Sequence, residues 1–370
     1  MVVLKKNGLA DKPEMKTGRR VKSLRLELEK RSLDGLLLTD IKNIRHLTGF
    51  TGSAAFALIT MDSAWFLTDS RYTAQARQEV KGFRFRIYKK ALDAIVELVK
   101  VQRLKSLGFE GNNLSYDNYL KFKKALGAVR LRSVPEIPAG LRLRKDSAEI
   151  ARIKASAAIL DAGYLKAMEV IRDGTIEKDA ALQIEMAFRE AGADGLAFDT
   201  ILASGPRGAL PHGRASDKPV RKGELVVVDM GVAKDGYNSD ETRTLCVGKA
   251  GREEKKIYQI VKDAQGRAID LIRPGVRAVA VDKAARGCIE GAGYGRYFGH
   301  GTGHGVGLDV HEGPNIGPTS TDVLDEGMVL TVEPGIYIPG WGGVRIEDMV
   351  LVVKDGFEVL TGTTKDLVCL

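Results

Sequence analysis

Cysteine is scarce in this 370-residue chain. There are three, Cys246, Cys288 and Cys369, widely spaced and without a CxxC pair, which speaks against a disulfide frame and a zinc–thiolate cluster. Long apolar runs are missing: nothing approaches the roughly 18 residues that a spanning helix needs. The opening MVVLKKNGLADKPEMKTGRR is broken by charges and has no apolar core of signal-peptide length, so a cytoplasmic protein is expected. Aromatics make up only 6% of the chain, and its basic residues gather in no tail, which argues against nucleic acid as a partner. Neither GxGxxG nor a P-loop pattern occurs, and HExxH is absent, so a dinucleotide loop, a phosphate loop and a thermolysin-type zinc helix are all set aside.

What remains is an ordinary globular composition, 44% hydrophobic and 28% charged. The length exceeds one ordinary core, so a large and a small domain are expected. The net charge of +9 is unevenly spread: residues 1–140 hold 27 Lys+Arg against 14 Asp+Glu, while residues 141–370 hold 30 against 34. In the first part, residues 19–34 have helical spacing, and DGLLLTD, AAFALIT and AWFLTD read as strands. Residues 91–104 and 115–127 read as helices, giving an α/β module. SVPEIPAG (133–140), with two prolines and a glycine, reads as a linker. Beyond it, helices are expected at 145–171, with Ser147 as a candidate cap, and at 176–192, 252–273 and 278–292. Strand pairs lie between and after them, so the second domain reads as α+β.

Two of these strand pairs carry acids in apolar surroundings. Asp229 and Asp240 flank VAKDGY. A Lys234-Asp235 loop sets them opposite each other, and an Asp235-Gly236 loop sets them diagonally, in both cases on one face. Glu333 and Glu347 are symmetric about Gly340. A buried lone carboxylate costs on the order of several kcal/mol, so four such groups call for a cation. Arg345 is a candidate partner for Glu347, and isolated salt bridges are the bland alternative.

Histidine is also rare, and three of the five fall in GHGTGHGVGLDVHEGP (299–314). Alternating glycines make a helix improbable there, at ~1 kcal/mol each relative to alanine. In an extended segment His300 and His304 share a face and His311 points elsewhere. Four carboxylates with one or two imidazoles suit two divalent ions bridged by carboxylates, with Mn²⁺, Co²⁺, Fe²⁺ and Zn²⁺ all compatible, and such a pair does hydrolytic chemistry.

VVVDMG, NSDETRT, GHGTGHGVGLDVHE, TVEPGIY and RIEDMV, in this order, resemble the metal-binding motifs of the creatinase/aminopeptidase P/prolidase metallopeptidases. RHLTGFTGS and TDSRYTAQA resemble motifs of the N-terminal domain in Xaa-Pro peptidases, and ASGPRGALPHG resembles a loop presenting a substrate-facing histidine. The resemblance implies an α+β pita-bread catalytic domain (141–370), a curved antiparallel sheet covered by helices, preceded by a smaller α/β domain (1–140). It implies two divalent metal ions, Mn²⁺ foremost, with Asp229 on one, Asp240 and Glu347 bridging, and His304 and Glu333 on the other. Glu333 is implied as general base, and His212 and His311 as the catalytic histidines that contact substrate. His300 is implied to flank the substrate and Arg345 to support a bridging carboxylate at the substrate site. The implied activity is a metallo-aminopeptidase cutting the Xaa–Pro bond of peptides with proline at the second position. A prolidase, acting on Xaa-Pro dipeptides, and a non-catalytic pita-bread interaction protein are the alternatives. A homodimer is the implied assembly. His46 and Arg207 depart from the family's usual tyrosine and asparagine.

Overall fold

A computed structural model describes residues 17–370 of the chain. They form two compact units, one ending at Arg142 and one running from Leu143 to Leu370. Among them, no helix is long and apolar enough to cross a membrane.

The first unit is built on six strands: β1 (Gly35–Leu38), β2 (Ala55–Thr60), β3 (Ala64–Thr68), β4 (Arg84–Ile87), β5 (Ser106–Phe109) and β6 (Arg130–Ser133). Their order is β4-β3-β2-β1-β5-β6. The run GLLL forms the buried middle: Leu36 and Leu38 join one apolar cluster with Leu24, Leu28 and Ile44, while Leu37 joins another with Ile95 and Leu98. A strand covered on both faces needs a continuous apolar run, and this one has it. The expected linker at 133–140 is not one: Ser133 closes β6, and Glu136–Leu143 is a helix. Pro138 lies in its first turn, where a missing N–H costs no helical bond.

In the second unit the expected helices are Ser147–Val170, Glu177–Glu190, Arg252–Ile269 and Ala278–Gly291. The cap of the first is Asp146, not Ser147: its carboxylate accepts from the backbone of Ala148 and Glu149, and Glu149 returns a bond to the backbone of Asp146. That reciprocal pair is a capping box, which satisfies N–H groups that the helix start would otherwise leave unpaired.

The strands of this unit are β7 (Gly195–Leu196), β8 (Ile201–Ser204), β9 (Leu225–Met230), β10 (Val232–Lys234), β11 (Tyr237–Asn238), β12 (Glu241–Cys246), β13 (Gly303–Gly305), β14 (Glu312–Ile316), β15 (Val329–Val332), β16 (Gly335–Ile338), β17 (Gly342–Arg345), β18 (Asp348–Val353) and β19 (Gly356–Val359). They pair antiparallel as β12-β9-β8, β11-β10-β7, β14-β13-β15-β18-β19 and β16-β17. Helices packed with antiparallel sheets give the expected α+β domain.

Two registers set the places of the four acids. Ala233 faces Asn238 and Lys234 faces Tyr237, so the loop is Asp235-Gly236. Both loop residues have positive φ, 49° and 77°, as a type I′ hairpin turn requires. The same register carries Asp229 opposite Thr242, and Asp240 falls diagonally from Asp229. In the other pair Gly335 faces Arg345 and Val332 faces Asp348, all mirrored about Gly340. Glu333 lies in the break between β15 and β16, and Glu347 in the facing break between β17 and β18.

Candidate metal centre

The hairpins and the glycine-rich stretch converge on one cavity of about 450 Å³. Asp229, Asp240, His304, Glu333, Glu347, His212, His300, His311 and Arg345 all line it, and Phe198, Ile201 and Pro211 add apolar wall. The fifth histidine, His46, is buried in the first unit.

Three overlapping groups of side chains hold ligand atoms within 4.8 Å of one another: Asp229 with Asp240 and Glu347; His304 with Glu333 and Glu347; and Asp240 with His304 and His311. Asp240 and Glu347 each join the Asp229 group to a group containing His304, as bridging carboxylates would. The buried Oδ1 of Asp229 has no hydrogen-bond partner, an arrangement that is costly for a carboxylate unless a cation supplies the missing contact. Hard oxygen donors with one imidazole fit divalent ions of the Mn²⁺ to Zn²⁺ series. The residues present therefore fit a metal centre.

Local structure aims each donor. His304 Nδ1 lies 3.1 Å from its neighbour's carbonyl, Gly305 O. A proton there fixes the tautomer and leaves Nε2 as the ligand atom. Nε2 points at Glu333 Oε1, 3.3 Å away, and Asp240 Oδ2, 3.6 Å away. Thr331 receives the His304 N–H at 3.1 Å and turns its own hydroxyl to Glu333 Oε1 at 3.3 Å. The glycines let the backbones close in. A Cβ on Gly303 would stand 2.0 Å from Thr331 O, and one on Gly305 would stand 1.9 Å from Gly313 O.

The expectation that His311 points away from His304 is corrected: their rings are 4.2 Å apart, edge to face. The alternation of a continuous strand stops where the chain reverses between β13 and β14, and a register shift after His304 adds to the turn. His300 is held differently. Its Nδ1 bonds Gly301 O at 2.7 Å, and its Nε2 faces the Tyr337 hydroxyl at 2.9 Å.

Arg345, 3% exposed, is the hub. Nη2 donates to Asp229 Oδ2 at 2.6 Å, Nε to Thr242 Oγ1 at 3.0 Å, and Nη1 to Tyr337 Oη and Pro211 O, both at 3.0 Å. Its direct carboxylate partner is thus Asp229. It reaches Glu347 through Thr242, whose hydroxyl donates to Glu347 Oε2 at 2.7 Å.

Other contributors gave no signal in the sequence. Fully buried Glu177 accepts bonds from Ser204, Arg207 and Ser216 and so fastens both ends of the loop bearing His212. Arg207, one of the departures, serves this loop. Buried Arg243 pairs with Glu241 and Asp348, both at 2.8 Å, and donates to the carbonyls of Thr242, Thr363 and Thr364. It ties β12 to β18 behind the cavity.

Electrostatics follow from this crowding. Burial, then the charges of Glu347 and Asp229, holds Asp240 well above the usual carboxylate range. Burial, then Glu333 and Asp229, does the same to Glu347. Burial also raises Asp229, against the pull of Arg345. Burial acts on Glu333 too, but the His304 ring and Arg345 outweigh it, and its pKa is lowered. His304 is raised, because Glu333 outweighs its burial. Burial lowers His300, and burial with His304 nearby lowers His311.

Comparison with known proteins places this arrangement. Residues 151–354 match the model of metallopeptidase family M24, and residues 20–144 match that of the creatinase/prolidase N-terminal domain. An Xaa-Pro dipeptidase of Pyrococcus horikoshii is 39% identical over 94% of this chain and 98% of its own length. Among solved structures, an Xaa-Pro dipeptidase from Bacillus anthracis superposes with a TM-score of 0.94 at 40% identity, covering 96% of this chain and 100% of the other. An X-Pro aminopeptidase from Thermotoga maritima gives 0.86 at 37% identity, covering 93% and 100%.

Proposed function

Because the chain belongs to metallopeptidase family M24 and is a hydrolase of that family, we propose that it cleaves the Xaa–Pro bond at the N-terminus of short peptides, with two divalent ions held by Asp229, Asp240, His304, Glu333 and Glu347. One observation carries the reading: the three donor groups overlap through Asp240 and Glu347 in a single cavity. Divalent ions bound there would acidify water and polarise the scissile carbonyl.

The side chains divide the remaining work. Glu333, with its lowered pKa, is ionised at neutral pH and accepts the proton of the attacking water. His311, lowered by burial and by His304, is neutral and offers an N–H to the developing oxyanion, and His212 offers a second N–H from the loop fastened by Glu177. His300, held by Gly301 and Tyr337, flanks the leaving side. Arg345 holds Asp229 in place and opposes the rise that burial imposes on its pKa. Among the ions, Mn²⁺ is our first choice. A homodimer is the proposed assembly, which light scattering checks.

An aminopeptidase acting on longer peptides and a dipeptidase acting on Xaa-Pro alone are both consistent with this machinery. The relatives named Xaa-Pro dipeptidase, from Pyrococcus and Bacillus, favour the second. The test is turnover of Ala-Pro and Ala-Pro-Ala by purified protein reconstituted separately with Mn²⁺, Co²⁺, Fe²⁺ and Zn²⁺. Cleavage of either peptide before proline supports the proposal. No cleavage with any ion overturns it.

A further inference from the structure

Widely spaced in sequence, two of the three cysteines meet in the fold. Cys246 N donates to Val368 O at 2.9 Å, and Leu370 N donates to Cys246 O at 2.8 Å. Those two bonds form a parallel bridge that sets Cys246, at the end of β12, directly opposite Cys369. Paired strands lie about 4.8 Å apart, inside the range of about 4.4–6.8 Å between Cα atoms that a disulfide spans. Opposite residues send their side chains to one face, and the two thiols are in hydrogen-bonding contact. The pair is asymmetric: Cys246 is buried and Cys369 exposed. Burial, then the neighbouring Cys369, pushes the Cys246 thiol up to about 12, so it stays protonated at neutral pH. Cys369 lines a cleft of about 300 Å³ with Lys255, Tyr258, Lys262 and Asp366, where a small oxidant reaches it. The segment that carries Cys369 also braces the wall behind the metal centre. Thr363 O and Thr364 O accept from Arg243, Thr363 Oγ1 donates to Glu241 Oε1 at 2.7 Å, and Thr361 Oγ1 donates to Asp348 Oδ1 at 2.8 Å. Glu241 and Asp348 directly follow Asp240 and Glu347 in the chain.

We propose that Cys246 and Cys369 are a peroxide-sensitive dithiol, which closes to a reversible disulfide and staples the segment 361–370 to β12. Cys369, the accessible sulfur, reacts first. Its proton shed, it attacks one oxygen of hydrogen peroxide, the O–O bond breaks, and a sulfenic acid and one water result. The Cys246 sulfur then attacks the Cys369 sulfur. The S–S bond forms, the S–O bond breaks, and the hydroxyl leaves with the Cys246 proton as a second water. Two thiols are oxidised by two electrons, and one peroxide is reduced to two waters. Buried and protonated, Cys246 is a poor first target, and its contact with Cys369 makes it the resolving thiol. A dithiol reductant reverses the bond by thiol–disulfide exchange. In a reducing compartment the pair stays as thiols until peroxide rises. The bond would close a loop of more than 100 residues, the case in which a cross-link restricts the unfolded chain most. Oxidation is therefore expected to harden the scaffold behind the metal centre.

The test treats the whole purified chain with hydrogen peroxide, alkylates the remaining thiols under denaturing conditions and maps the peptides without reduction. The wild type is expected to yield the peptides of Cys246 and Cys369 joined, about 2 Da lighter than the two thiol peptides together, and dithiothreitol should release them. Its melting temperature should rise by about 3–10 °C on oxidation and fall back on reduction. Cys369→Ser, given the same peroxide, should show no such rise, and it corrects for oxidation of methionines. Recovery of Cys369 as a sulfinic acid, or joined to a second copy, with Cys246 still open to alkylation overturns the proposal. So does a joined pair that leaves the melting temperature unchanged, or an equal rise in Cys369→Ser.

Discussion

Asp240 carries the heaviest electrostatic load in the cavity, 4% exposed and facing Glu347, Asp229 and Glu333 at once. Such a residue survives in a buried break between two strands only where a cation offsets it. That cost is why the four acids stood out in the sequence. Thr242 did not stand out, although from 105 residues before Glu347 it relays Arg345 to that carboxylate. A threonine in a strand is ordinary, and its role exists only once the partner strand arrives. Glu177 and Arg243 were hidden for the same reason. The two kinds of residue are separable by experiment. Asp240→Ala removes a donor shared by two groups and should abolish both metal uptake and turnover. Thr242→Val removes an outer support and should weaken metal affinity about 10- to 100-fold while leaving a measurable site. Titration calorimetry with Mn²⁺ alongside peptide turnover distinguishes them, and wild-type rates in Asp240→Ala would refute the bridging role.

At the scale of elements, the hairpins were legible because their turns are chemically explicit. Asp235-Gly236 admits the positive φ pair that selects one of the two registers left open. Gly340, φ 79°, does the same for the second pair. Where the sequence misled, a local rule met a stronger partner. Two prolines suggested a linker, yet Pro135 stands just before a helix and Pro138 in its first turn, where both are tolerated. The fate of His311 depended on a chain reversal that strand periodicity does not encode. The glycine-rich stretch divides in the same way. Gly299 has no atom within 4 Å of a built Cβ, whereas Gly305 has a backbone oxygen at 1.9 Å. Gly299→Ala should therefore shift stability by no more than about 0.5 kcal/mol. Gly305→Ala should cost about 1–3 kcal/mol or more and displace His304. Calorimetric melting with metal analysis checks both, and equal melting temperatures would show that the close approach does not matter.

For the molecule as a whole, the cavity couples stability to pH and to metal. Asp229, Asp240 and Glu347 have folded-state pKa values raised above those of the unfolded chain. Their contribution is complete below the unfolded value near about 4 and is lost as pH rises through the folded values. Glu333 and Asp348, both lowered, act in the opposite sense, but the three raised groups dominate within the cavity. Metal-free protein should thus lose stability as pH increases, and Mn²⁺ should restore it by displacing those protons. The melting-temperature gap between Mn²⁺-loaded and chelator-treated protein should widen from pH 5 to pH 8. A constant gap would contradict the assignment. The charge imbalance of the chain acquires a meaning at this scale too. The two outermost strands of the first unit's sheet, β4 and β6, are paired on one side only among the described residues, and they read RFRI and RLRS. Their free edges carry Arg84, Arg86, Arg130 and Arg132 on strands only four residues long. Short strands bearing like charge repel a second copy presented edge to edge. The basic surplus thereby guards against copies of this sheet zipping into fibres when the protein is concentrated.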